Sequence, residues 1–268
     1  QKLKDQTVQA DELYNILDSF EVKLDYIQFE LRMNLMRGPT DIENTKHEKL
    51  IQLEKKKELL SQEQIEKVNE LIENINNLDA NIKELAKYNT ESKLETAKTL
   101  AIYIKEKIDE YRKAGIMYNE REVLFGKPRT DWSKISELDG ALLPYYNLWI
   151  GMDRWITSSK RWLEGDFSKL DGAEVDNTIT ELTKNFNMAL SRFKSDNVED
   201  AIFDMCMKYK KMVDEFKPKG ELAVALTRGL KDRHWEEIKK KTGIDCTPRE
   251  GFTFQNIIDE GMIQHVEI

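Results

Sequence analysis

The chain has 268 residues, 34% charged and 40% hydrophobic, with a formal net charge of −8 and a pI near 5.2. That acidic balance argues against a nucleic-acid binder, which needs an excess of basic surface. A mean hydropathy of −0.65, with no apolar run near the roughly 18 residues of a membrane span, argues against a membrane protein. Only 12 Gly and 5 Pro occur, so turn-rich all-β folds are disfavoured and long helices are expected.

In chain order, Leu13, Ile16, Phe20, Leu24, Ile27 and Leu31 recur three and four apart. This spacing predicts a helix over 7–37, stopped by Gly38-Pro39. Thr40-Asp41-Ile42-Glu43 has capping-box spacing and predicts a new helix that runs to about Lys87. Its second half has a seam at Ile65, Val68, Ile72, Ile75, Leu78, Ile82 and Leu85. Its first half, around Lys55-Lys56-Lys57, is poor in apolar residues and is expected to project or pair weakly. Ser92-Lys93-Leu94-Glu95 is a second capping box. After it, Leu94, Ala97, Ala101, Ile104, Ile108 and Tyr111 line one face. Short connections between such helices predict antiparallel, coiled-coil-like neighbours.

Composition shifts near residue 120. All five Trp and four of the five Pro lie beyond it. Thr130-Asp131 is expected to cap a short helix that Gly140 breaks. A helix over 143–163 carries Trp149, Trp155 and Trp162, and Gly165-Asp166 ends it. Asp171 opens a helix to about Phe193, and another is expected from Val198 to Phe216, followed by a turn at Lys217-Pro218-Lys219-Gly220. A short helix from Asp232 to Lys241 ends at Gly243, and Thr253 caps a last one. The expected fold is all-α: an elongated bundle of long antiparallel helices over 1–119, then a more compact helical domain over 120–268.

Signatures of chemistry are missing from the sequence. The one Gly-Lys pair, Gly126-Lys127, has Arg121 where a P-loop needs its first Gly and Pro128 where it needs Ser or Thr. His47-Glu48 begins like HExxH, but residue 51 is Ile. His47, His234 and His265 stand far apart with no ligand spacing, so no metal site is expected. Cys206 reads as a packed residue, and Cys246 lies in a loop where exposure is expected. Two distant cysteines suit a reducing compartment. Trp155 and Trp162 fall on one helix face, which favours a core stripe over a stacking site. Lys239-Lys240-Lys241 suits a helix C-terminus. The first residue is Gln rather than Met, as expected of a piece of a longer protein.

From about residue 120 the sequence resembles dynein heavy chains, of axonemal type, at the tail-to-linker region before the motor ring. The resemblance rests on Glu120-Arg-Glu-Val-Leu-Phe-Gly126, Leu143-Pro-Tyr-Tyr-Asn-Leu-Trp149 and Trp162-Leu-Glu-Gly-Asp-Phe-Ser-Lys-Leu-Asp171. It continues with Phe216-Lys-Pro and Ala225-Leu-Thr-Arg-Gly-Leu-Lys-Asp-Arg-His-Trp235-Glu-Glu-Ile238, then Gly243 and Phe252-Thr-Phe254. It departs at Lys219-Gly220, where the family has a proline-containing apolar turn. Residues 1–119 fit the preceding tail or neck by position alone.

The resemblance implies a non-catalytic mechanical segment that joins the tail to an ATP-driven ring and forms part of the linker lever. Trp149, Trp155, Trp162 and Trp235 would stiffen the lever. Arg233, His234, Trp235 and Glu236 would be its linker motif. No cofactor is expected in this chain, ATP and Mg belonging to the downstream ring. Expected partners are the rest of the heavy chain, intermediate or light chains and other heavy chains, with microtubules touched only indirectly. Neither nucleic acid nor membrane is expected, and the setting implied is the cytoskeleton, in the axoneme of a cilium. Two other classes remain: a static, spectrin-like scaffold that docks accessory proteins, and an enzyme whose cleft gathers distant carboxylates with His234. Arg233 and His234 could equally tie a helix start to its neighbour.

Overall fold

The computed structural model describes residues 2–196, 200–249 and 251–265. Among them it is an all-α bundle, with α1 (Lys2–Ser19), α2 (Tyr26–Leu85), α3 (Leu94–Leu124), α4 (Ser133–Glu164), α5 (Gly172–Ser195), α6 (Asp200–Leu226), α7 (Asp232–Thr242) and α8 (Phe254–Asp259). The one β-type pairing among the described residues is an isolated bridge between Asp166 and Thr253. Among the described residues no helix is long and apolar enough to cross a membrane. The chain divides into two compact units that are not contiguous in sequence. One comprises Gln1–Asn69 and Arg121–Lys127, the other Glu70–Glu120 and Pro128–Ile268.

The first unit holds a helical hairpin. The helix expected over 7–37 breaks at 20–25 instead, where Glu21 takes a φ of 54°. Asp25 then opens α2: its carboxylate accepts the Gln28 N–H at 2.8 Å, and its own N–H reaches the Gln28 side chain at 3.1 Å. This reciprocal cap fixes the helix start. Conversely, α2 passes straight through Gly38-Pro39, and Thr40 starts nothing. A proline removes one rung of the ladder, a local loss that the turns on either side bridge. Arg32 on α2 reaches back to α1. It pairs with Asp18 at 2.7 Å and lies over the Tyr14 ring at 5.2 Å.

In the second unit, the end of α2 buries Leu71, Ile75, Leu78, Ile82 and Leu85. Ile72, and Ile65 in the first unit, were expected in this seam but are exposed, whereas Leu71 is in it. The true spacing alternates three and four, the 3.5-residue period of a coiled coil. Across the turn at 86–93, α3 answers with Ala97, Ala101, Ile104 and Ile108, all buried. Its start does not use the expected box at Ser92; a 3₁₀ turn, Glu91–Lys93, leads into it.

Helix α4 runs antiparallel to α3, as the cross-links show: Lys98 meets Asp153 at 2.9 Å, and Lys105 and Arg112 both meet Asp139 at 2.7 Å. Gly140 does not break α4, and Pro144 lies inside it. A glycine costs a helix interior about 1 kcal/mol, and the buried Leu138 and Leu142 hold the helix on either side of Gly140. The expected turn at 217–220 is likewise absent, because α6 runs through Pro218 to Leu226. Phe216 and Leu222 are buried before and after that proline, so packing keeps the helix in line. Val198, the expected start of this helix, lies outside the described residues. The starts of α5 at Asp171 and α8 at Thr253 match expectation, each side chain accepting backbone N–H groups of the first turn. Gly243, with φ of 78°, ends α7 as expected.

Candidate mechanical core

Nearly all buried apolar residues of the second unit join one continuous cluster. Two aromatic groups organise it. In the first, Trp155 and Trp162 of α4 both meet Phe216 of α6. Trp155 stands edge-on to that ring at 5.3 Å and 83°, and Trp162 lies at 5.8 Å and 36°. Such aromatic pairs add about 0.5–1.5 kcal/mol beyond their buried area. Lys219 covers the outer side of Phe216 at 5.3 Å. The Phe216 ring therefore joins two helix turns of α4 to α6.

The second group centres on Phe167, in the connection between α4 and α5. Phe254 stacks on it at 6.2 Å and 9°, while Trp235 and Phe252 stand edge-on at 6.4 Å. Backbone bonds lock the same place: the Phe167 N–H donates to the Phe252 carbonyl at 3.0 Å. Asp166, capped onto Ser168, fixes the turn that carries Phe167. The Ser168 hydrogen bonds hold the Asp166 carboxyl below its usual range. Segments from three places in the sequence thus meet at one ring.

Trp149, Trp155, Trp162 and Trp235 are all buried, but they do not form one group. Trp155 and Trp162 share Phe216, Trp235 belongs to the Phe167 group, and Trp149 packs elsewhere in the cluster. The indole N–H groups of Trp149 and Trp162 have no hydrogen-bond partner among the described residues, so packing holds these rings. Of the motif at 233–236, only Trp235 is buried. His234 turns back on its own helix, its Nδ1 accepting the Lys231 N–H at 3.0 Å. It caps α7, while Arg233 and Glu236 face outward.

Phe167 and Phe216 are the residues to which sequence reasoning assigned no role. Both stand inside the quoted family segments; Phe167 lies in a short connection, whereas Phe216 continues the buried stripe of Ile202, Met205, Tyr209 and Val213 on α6, the signal that marks it as core. Close approach matters as well. Gly172 at the start of α5 donates its N–H to Thr227 Oγ1 at 3.0 Å. A Cβ there would lie 2.6 Å from the Ala223 carbonyl, so only glycine fits against the end of α6.

Cys206 and Cys246 are both buried, which corrects the expected exposure of Cys246. Burial pushes the Cys206 thiol up to about 12 and the Cys246 thiol, beside Glu260 and Asp245, to about 11. Both are protonated at neutral pH and poor nucleophiles. Among the described residues no three His, Cys, Asp or Glu side chains gather as metal ligands.

A family profile described as dynein heavy chain, N-terminal region 2, matches residues 135–268. Dynein axonemal heavy chain 1 of Rattus norvegicus is 26% identical over 165 residues, 61% of this chain and 4% of that protein. Dynein axonemal heavy chain 12 of Homo sapiens is 25% identical over 230 residues, 84% of this chain and 7% of that protein. Dynein axonemal heavy chain 3 of Homo sapiens is 22% identical over 152 residues, 56% of this chain and 4% of that protein. The chain therefore spans only a small fraction of the relatives it matches. The profile begins at the first turns of α4 and takes in both aromatic groups, so the chain belongs to the dynein heavy chain family through its N-terminal region 2.

Proposed function

We propose that this chain is a non-catalytic, force-transmitting segment of a dynein heavy chain, with residues 120–268 forming the N-terminal part of the linker and residues 1–119 joining it to the tail. The observation that carries this reading is the pair of aromatic groups that tie α4, α6, α7 and α8 into one packed cluster. A lever must move as a body, and densely packed interiors transmit strain instead of absorbing it. Helices of 32, 24 and 27 residues, held by such a core, suit that task. The names of the relatives support an axonemal setting, with microtubules moved by the assembled motor and not touched by this segment. ATP and Mg would act in the ring. Intermediate chains, light chains and other heavy chains are the accessory partners this reading admits.

The test is uncoupling. Phe216→Leu keeps an apolar side chain but removes the ring between Trp155 and Trp162. In the assembled motor it should slow microtubule gliding while ATP turnover continues. Gliding and turnover both unchanged would contradict the reading.

A further inference from the structure

Between α4 and α5 lies an open groove of about 710 Å³, a volume in the range of ligand sites. Gly140, Leu143, Pro144 and Asn147 line it from α4, and Met188 lines it from α5. Asn147 is only 8% exposed, and its side-chain amide has no hydrogen-bond partner among the described residues. The amide is not sealed in the core, as the indole N–H groups of Trp149 and Trp162 are, so the access it keeps is through the groove it lines. A buried amide that neither donates nor accepts is costly, and this one is open to an outside partner.

Two backbone features belong to the same opening. Pro144 has no N–H to close the helical rung on the Gly140 carbonyl. Gly140 carries no side chain, and a Cβ there would meet nothing within 4 Å, so the backbone of α4 lies bare at this point. Seven residues of helix put Gly140 and Asn147 roughly 10 Å apart along the axis. Three residues of extended chain cover the same distance, at about 3.3 Å each.

Hydrogen bonding identifies the occupant. A helix closes its own N–H and C=O groups internally and has none to offer Asn147. An extended chain has both free, and a carboxamide can donate to its C=O and accept from its N–H. Beside these polar stations, Leu143 and Met188 are 42% and 44% exposed and form an apolar floor for one side chain. Charge takes little part. Glu137 and Arg192, the charged residues at the groove, have opposite signs and are paired within their own helices, to Lys134 at 3.4 Å and Asp196 at 2.8 Å.

We propose that the α4–α5 groove is a docking site for an extended peptide segment of a separate protein, held through its main chain by Asn147 and the bare backbone at Gly140, with one apolar side chain on Leu143 and Met188. This inference does not depend on the lever reading. Main-chain bonds supply the affinity, and the apolar floor supplies the selectivity.

The test uses the full 268-residue chain and a displayed library of short linear peptides, each with a central Leu or Met and no Pro. Peptides are selected on the parent and counter-selected on Gly140→Leu, which fills the groove with a side chain that favours the helix. The best peptide is then labelled and followed by fluorescence anisotropy, beside a twin N-methylated at the peptide groups that flank the central residue. The twin keeps every side chain and loses main-chain donors, so it should bind at least about tenfold more weakly. Asn147→Ala should weaken binding by a similar factor while the chain stays folded by circular dichroism, because no hydrogen bond of that side chain within the chain is lost. Affinity should change less than about twofold between low and high salt. No peptide surviving counter-selection, a twin as tight as its parent, a bound peptide that is helical, or affinity that collapses in salt would each overturn the proposal. So would unchanged binding by Asn147→Ala, which would leave that amide to water alone. Self-association of the chain that Gly140→Leu abolishes would also overturn it, by making a second copy the occupant. If the peptide binds the 268-residue chain but not the intact heavy chain, another segment of the heavy chain fills the groove and the proposal is again overturned.

Discussion

Phe216 illustrates how a single side chain can hold a helical domain together. It contacts two tryptophans seven residues apart on α4 and is capped by Lys219 on its own helix. Truncating Trp162, which is buried, should cost about 3–5 kcal/mol, as for other large aromatic residues in packed cores. The coupling between Trp162 and Phe216 in a double-mutant cycle should be about 0.5–1.5 kcal/mol. Additive single effects in denaturant unfolding would show that the two rings are neighbours without being partners. Gly172 makes the opposite demand. Gly172→Ala inserts a methyl group against the Ala223 carbonyl and disturbs the N–H bond to Thr227. A loss of about 1–3 kcal/mol is expected from such overpacking. A melting temperature at or above the parent's would mean that the end of α6 can retreat.

Among elements, the α3–α4 pair depends on charge as well as on its apolar seam. Burial opposes ionisation of Asp139, but hydrogen bonds from Lys105 and Arg112 outweigh it and hold the carboxyl below its usual range. The folded pKa is lowered, so the stabilisation is present above the ordinary Asp value of about 3.9 and is lost as pH falls from there through the folded value. Asp139→Asn should lower the denaturation midpoint at neutral pH, and the gap to the parent should narrow as pH falls below the ordinary Asp value of about 3.9. A gap that stays constant across this range would remove Asp139 from the account. Legibility in the sequence followed the same division between local and distant causes. Caps at Asp171 and Thr253, the stop at Gly243 and the α3 seam were readable, because each is decided within a turn or two of chain. Gly140 and Pro218 misled because their local cost is offset by packing before and after them, which a linear reading does not contain, and Gly38-Pro39 misled because the loss of one hydrogen-bond rung does not end a long helix. The break at 20–25 was hidden for a related reason: apolar residues keep helical spacing on both sides of it, and only Glu21 and the Asp25 cap mark the turn.

For the whole molecule, the two compact units differ in how they bury apolar surface. In the second unit, two groups of rings join α4, α6, α7 and α8 into one cluster, and the first unit presents a hairpin whose apolar side chains lie open. The tryptophans were legible as core, but their partition between the Phe216 and Phe167 groups was not, since those rings come from a connection and from beside a proline. The central claim is that residues 120–268 move as part of the lever. Asn187 lies exposed on α5, and the native thiols at 206 and 246 are buried, so a cysteine at 187 can be labelled selectively. The most direct measurement is energy transfer between a dye at that position and a second dye on the ring of the assembled motor, with and without nucleotide. The account predicts a nucleotide-dependent change in transfer. An unchanged signal in a motor that hydrolyses ATP would contradict it and assign the segment to a static tail.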